Sequence, residues 1–233
     1  MNKQVWDWPG FFDYLFNEYL LWGVVTTIGL TAAAILGGLI LGAGLALMRI
    51  ASFRPISWIA QFYIWLFRGT PLLVQLLIIY TGLPLAFGVR FSVLEAALLG
   101  LILNEAAYLA EIIRSGILSV PAGQSNAGLA LGLTNTQVMG YIVMPQAARI
   151  IIPPLGNSVN GLLKTTSVTS VISMEELLRR TQILIQEKFL VLELFAVAAI
   201  YYLILTTLWD LVQRRLEARF GKAYSKVQVQ EGY

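Results

Sequence analysis

Few residues in this chain could make or break bonds. It contains no histidine and no cysteine. That removes the commonest general base, the thiolate metal ligands and any Ser-His-Asp triad. What remains is a small set of charged and amide side chains embedded in apolar sequence. Asn157, Asn160, Lys164 and Ser167 recur at helical spacing and form a polar stripe on one face, with Ser158 and Thr166 beside it. Lys164 and Ser167 stand three residues apart, the spacing of a Ser-Lys dyad, but a polar stripe explains both without a nucleophile. Glu105 sits in the middle of a separate apolar stretch. Ionisable groups at membrane depth either pair or serve a pathway. Glu105 is therefore read as pairing with Lys164 at matched depth or as receiving a ligand ammonium. Lys164 is read as lining a path or as held in that pair. Glu111 and Arg114, three residues apart, share a helix face and are expected to pair with each other.

The elements that must carry these groups are membrane helices. Of 233 residues, 58% are hydrophobic and 12% are charged, against about 25% charged in soluble domains. A span needs about 20 mainly apolar residues. Stretches of that kind run over 19–48, 57–82, 91–118, 147–173 and 189–210, the second interrupted by Arg68, Gly69, Thr70 and Pro71. The expected fold is an all-α integral membrane protein of about five transmembrane helices. Residues 1–18 read as an aromatic interfacial segment, 19–210 as the membrane domain and 211–233 as a cytoplasmic tail. Arg49 and Arg54 in the first loop, with Arg214, Arg215, Arg219, Lys222 and Lys226 in the tail, place those segments in the cytoplasm and the N-terminus outside. Arg68 reads as the cytoplasmic end of the second span. Gly38 and Gly42 form a GxxxG spacing, read as close packing within the bundle rather than a dimer motif. The net charge of +3 includes no basic run dense enough for nucleic acid.

Between the third and fourth spans, residues 119–141 form a small, polar, nearly charge-free loop. Pro121 suits a helix start. Gly132 suits a helix end. Thr134 with Gln137 makes a capping box for a second short helix. Such a helix–bend–helix is a compact knob that fits a cleft on another protein.

The loop also carries a resemblance. Asn126, Ala127 and Gly128, then Gly132, then Ile142 to Pro145 resemble the cytoplasmic loop signature of bacterial ABC importer permeases. Around it, Ala107 to Ile117, Val120 to Gln124, Phe67 to Pro71, Pro145 to Ala147, Pro153 to Asn157, Lys164 to Ile172 and Thr26 to Leu30 resemble the polar amino-acid subfamily. The ordered set covers nearly the whole chain. The resemblance implies a multi-pass permease of the bacterial cytoplasmic (inner) membrane, working with a second permease subunit, identical or paralogous. It further implies a pair of ATP-binding subunits and an extracytoplasmic amino-acid-binding protein. Gln124, Asn126, Ala127, Gly128, Gly132 and Pro145 would couple to the ATPase. Glu105, Asn157, Ser158, Asn160, Lys164, Thr166 and Ser167 would line the substrate path.

Several positions depart from the family pattern. Asn126 stands where a Glu is usual, Gly128 where an Ala is, and Met144 where a Leu is. The missing Glu removes a charged contact, either to the ATPase or within the loop, and favours a paralogous partner. Ser158 stands where some carriers of basic amino acids have an acidic residue, and Thr165 where the family frequently has an Asp, so those positions do not argue for a cationic substrate, although Glu105 could substitute. No P-loop is present, since Gly221-Lys222 stands alone. Cofactors are therefore expected to be none in this chain, with ATP and magnesium on the partner ATPase. An ATP-independent channel, a membrane-embedded enzyme and a stand-alone carrier are the competing classes. The chain shows no filter sequence or charge ring for a channel and no internal repeat for a carrier.

Overall fold

The computed structural model describes residues 6–221, all of whose regular structure is helical. Lys222 and Lys226 of the tail lie outside the described residues. The helices are α1 (Trp8–Tyr14), α2 (Glu18–Ile50), α3 (Arg54–Gly69), α4 (Leu72–Phe87), α5 (Val93–Leu118), α6 (Ala122–Ala130), α7 (Asn135–Ile172), α8 (Leu177–Lys188) and α9 (Val191–Gly221). By length and composition, 4 helices can each cross a membrane, and the α3–α4 pair raises the total to 5 if it counts as one span.

Local chemistry sets the helix ends. Asn17 caps α2 by accepting from the Tyr19 and Leu20 amides. Ser92 and Glu95 close a capping box at the start of α5, so Glu95 belongs to the rim of that span and not to its interior. The short aromatic helix α1 is capped by Asp7, whose own amide donates to the buried Glu193 of α9 at 2.8 Å.

The long helices α2 and α5 form the most extensive pairing in the molecule. A Cβ on Gly42 would stand 2.9 Å from the Ala106 carbonyl oxygen and 3.1 Å from the Ala110 nitrogen. A Cβ on Gly38 would stand 3.2 Å from Glu105 Cβ. The GxxxG spacing is thus used inside the bundle, where small residues let backbones approach.

The second span is not one helix. The α3 and α4 axes differ by 103° across Thr70 and Pro71. Pro71 has no amide hydrogen and drives Thr70 extended, at φ −120° and ψ 145°. In lipid the freed carbonyls need internal donors. Gln75 Nε2 donates to Phe67 O at 2.9 Å and to Thr70 O at 3.1 Å. Asn104 Nδ2, from α5, donates to Phe67 O at 3.2 Å and to Gln75 Oε1 at 3.0 Å. Arg68 therefore stands at the break between α3 and α4.

The fourth span also differs from expectation. The capping box of Thr134 and Gln137 forms, but it opens the long helix α7 itself rather than a separate short helix. A π turn over Val138–Val143 precedes Pro145, and another over Ile78–Gly82 precedes Pro84. The wider turn makes room for a ring that would otherwise strike the preceding carbonyl. At its far end α7 tightens into a 3₁₀ segment, Thr166–Ile172, and stops at Ser173 with φ 65°.

The charged connection after the fourth span folds as α8, which periodicity did not reveal. Its N-cap, Glu176, is fully buried and accepts from the Leu178 and Arg179 amides and from Tyr202 Oη at 2.8 Å. Burial pushes this carboxyl above its ordinary range, against the hydrogen bonds that favour its charged form. Arg180 donates to Tyr19 O at 3.3 Å and lies over the Tyr19 ring, tying α8 to α2.

Two stability outcomes follow from this packing. Gly42→Leu, which has no room beside Ala106 and Ala110, should destabilise the detergent-solubilised protein by about 1–3 kcal/mol. Gly44→Leu, with nothing within 4 Å of its Cβ position, should leave its melting curve unchanged. Gln75→Leu strips donors from the α3 end and should cost about 1–3 kcal/mol in the same thermal assay, whereas Val74→Leu on the exposed side of the same turn should cost little.

Candidate functional site

The break between α3 and α4, the middle of α5 and the centre of α7 enclose a cleft of about 710 Å³. One helical face of α5 contributes Asn104, Glu105, Tyr108, Glu111 and Ser115. Glu105 is only 7% exposed, and its Oε1 has no hydrogen-bond partner among the described residues. Gly38 gives its stem the room to lie against α2. Ser158, on α7, lines the same cleft.

The expected Glu105–Lys164 ion pair is not formed. Lys164 is exposed and makes no ion pair among the described residues. Matched depth did not bring the two to the same side of the bundle. The polar stripe on α7 also divides. Asn160 Nδ2 donates to Asp210 Oδ1, and Asn157 Oδ1 accepts from Gln213 Nε2 at 3.0 Å, so both amides face α9. Trp209 Nε1 donates to Gly156 O at 2.8 Å in the same seam. The Thr166 and Ser167 hydroxyls donate to the Leu163 and Lys164 carbonyls of their own helix, and Thr166 is fully buried. Of the residues read as a pathway, the structure brings Glu105 and Ser158 together in the cleft.

Residues that sequence reasoning did not place there complete the cleft. The Arg68 guanidinium lies 5.3 Å from the Tyr108 ring centroid, a cation–π arrangement. Asn104 both pins the α3 end and lines the cleft. The Glu111–Arg114 pair forms as expected, with Arg114 Nη2 donating to Glu111 Oε2 at 2.9 Å and Nε to Oε1 at 3.1 Å. Charge of both signs therefore borders one aqueous-sized space.

The second candidate site is the knob on α6. Gly132 has φ 84°, its amide donates to Leu129 O at 2.9 Å, and the Leu133 amide donates to Gly128 O at 3.1 Å. These bonds are a Schellman closure. Gly128 is buried, and a Cβ there would stand 2.5 Å from Ile142 Cδ1, so this glycine seats α6 on the π turn of α7. Gln124, Asn126, Ala127 and Pro145 are exposed. So are Leu131, at 83%, and Tyr141, at 75%, two apolar side chains that the loop signature did not bring out.

Known proteins share this fold. Residues 34–222 match the family model described as "Binding-protein-dependent transport system inner membrane component". The chain is 37% identical over 239 residues to the arginine transport system permease protein ArgU of Corynebacterium glutamicum, covering 97% of this chain and 76% of that one. It is 40% identical over 205 residues to the L-cystine transport system permease protein TcyB of Bacillus subtilis, covering 88% and 87%. A solved structure, an amino acid ABC transporter with histidines, superposes with a TM-score of 0.86 at 36% identity, over 92% of this chain and 99% of that one. The chain belongs to the binding-protein-dependent transport system inner membrane component family, as a multi-pass permease subunit of an ABC transporter and not an enzyme.

Proposed function

We propose that this chain forms half of the translocation pathway of an ATP-driven importer for polar or charged amino acids, with the 119–141 loop docking on a separate ATPase. The observation that carries this reading is the α6 knob. It is a closed helical unit with an exposed face of small side chains, held on α7 by Gly128. Such a face offers shape rather than charge, so its fit to a partner groove depends on the αL turn at Gly132. The chain itself carries no nucleotide site in this reading, and the energy comes from ATP and magnesium on a pair of partner ATPase subunits. A second permease subunit completes the pathway, and an extracytoplasmic binding protein delivers the substrate.

The loop and the α9 C-terminus lie in the cytoplasm and the N-terminus outside. Supporting this, Arg49, Arg54, Arg214, Arg215 and Arg219 all fall at the ends of spans on one side by chain order. The cleft receives the amino acid. Glu105 offers a carboxylate with an open oxygen to an ammonium or a side-chain cation, and Arg68 offers a guanidinium to a carboxylate. Relatives named for arginine and L-cystine transport support an amino-acid cargo of this kind.

Gly132→Pro removes the backbone N–H that donates to Leu129 O and forbids φ 84°, and Ala127→Glu puts a charge on the exposed face. Either variant, co-expressed with its genomic neighbours, should fail to recover the ATP-binding subunit that the wild-type chain pulls down. Equal recovery in both would refute the docking role. In proteoliposomes, Glu105→Gln should weaken apparent substrate affinity by about 10- to 100-fold, the effect of losing one charged hydrogen bond. ATPase recovery in the pull-down should be unchanged. Uptake equal to wild type would remove Glu105 from the pathway.

A further inference from the structure

A second concavity, of about 500 Å³, lies on the opposite side of α7, between α2, α7 and α9. Its walls include Ile35 and Leu36 from α2, Leu163 from α7, and Leu208, Trp209 and Val212 from α9. Its polar atoms are satisfied elsewhere. Thr31 Oγ1 donates to Thr27 O at 2.8 Å, and Trp209 Nε1 donates to Gly156 O. Nothing in the groove can recognise a polar ligand. Its lining is mostly branched apolar side chains, not the small residues through which membrane helices approach one another. A flexible hydrocarbon fits such a surface better than a second helix does.

The charge beside it identifies the rest of the occupant. Leu205, Leu208 and Val212 carry the groove face along α9 at helical spacing, and the same repeat continues to Arg215 and Arg219. Both arginines are exposed, and neither makes an ion pair among the described residues. The nearby carboxylate, Glu217, already accepts from Gln213 Nε2 at 2.8 Å. The apolar channel thus runs into two cations, unpaired among the described residues, at the end of the span, where lipid headgroups lie.

We propose that this groove binds one acyl chain of an anionic phospholipid whose phosphate is held by Arg215 and Arg219. The site belongs to the leaflet that the α9 C-terminus faces, and it clamps α7 and α9 around a lipid on the side away from the polar cleft. It is independent of the cleft's cargo and of the ATPase contact.

The test is native mass spectrometry of the full-length chain in mild detergent, titrated with phosphatidylglycerol or phosphatidylcholine. Phosphatidylglycerol should be retained in preference. Each cation near an anionic headgroup contributes about fivefold, so Arg215→Gln with Arg219→Gln should cut that preference by about 25-fold. The Arg215→Lys, Arg219→Lys variant should keep it and shows that the helix end is intact. Ala32→Phe, which fills the groove with both arginines present, should also reduce retention. Equal retention of the two lipids by the wild-type chain, or full retention by the glutamine variant, would overturn the proposal. The chain has no cysteine, so Leu208→Cys supplies a single thiol. Efficient crosslinking of that thiol to another permease subunit in native membranes would show that protein covers the groove, and would equally overturn the proposal.

Discussion

Inside a bilayer no water is available to a backbone group, so each amide and carbonyl must find its partner within the chain. That constraint is most demanding at Thr70 and Pro71, where the second span turns through 103°. An unbroken helix would satisfy itself. The broken one needs Gln75 from its own second half and Asn104 from α5 to hold the Phe67 and Thr70 carbonyls. The site depends on this repair. The break opens the wall that admits Arg68 and Thr70 to the cleft, and the helical turn that supplies Asn104 also supplies Glu105. One turn of α5 therefore stabilises the irregular backbone and presents the carboxylate.

The close α2–α5 contact rests on missing side chains rather than on hydrogen bonds. The Glu105 stem lies directly against Gly38. One turn further along, Gly42 keeps the two backbones in contact at Ala106 and Ala110. The prolines are accommodated differently. Where Pro84 and Pro145 interrupt a helix, the preceding turn widens to π geometry and the helix continues. Where Pro71 follows an extended residue, the helix ends.

Much of this was legible in the sequence, and for identifiable reasons. Lipid imposes length and hydropathy on its spans, so α2 and α5 appear near their expected limits, whereas α9 runs on to Gly221, past the expected end at 210. Gly132 and the Thr134–Gln137 box act through contacts a few residues apart, and both formed as their local chemistry dictates. Long-range partners were another matter. Helical periodicity places Asn157 and Asn160 on one face but does not say that α9 covers it with Asp210 and Gln213. Depth placed Lys164 level with Glu105 but said nothing of azimuth. The helix α8 was hidden because its charges resemble a solvated link, while its buried N-cap, Glu176, depends on Tyr202 far along the chain. A signal for the cleft was nevertheless present. Asn104, Tyr108, Glu111 and Ser115 recur every three or four residues along α5, with Glu105 beside the first, a polar face inside a span.

The cleft and the knob are joined by short, stiff connections. Val120 and Pro121 link α5 to α6, and the Schellman turn links α6 to α7. Between these links, Gly128 locks α6 against Ile142 on the π turn, and Gly116 of α5 leaves room for Ile151 of α7 alone, since a Cβ there would stand 2.4 Å from Ile151 Cγ1. α6 is therefore tied by a short link to the end of α5 and packed on the start of α7. Those are the helices that carry Glu105 and Ser158 in the cleft. Close packing leaves little compressible space between these elements. The packing that seats the loop is thus continuous with the helices that form the cleft walls.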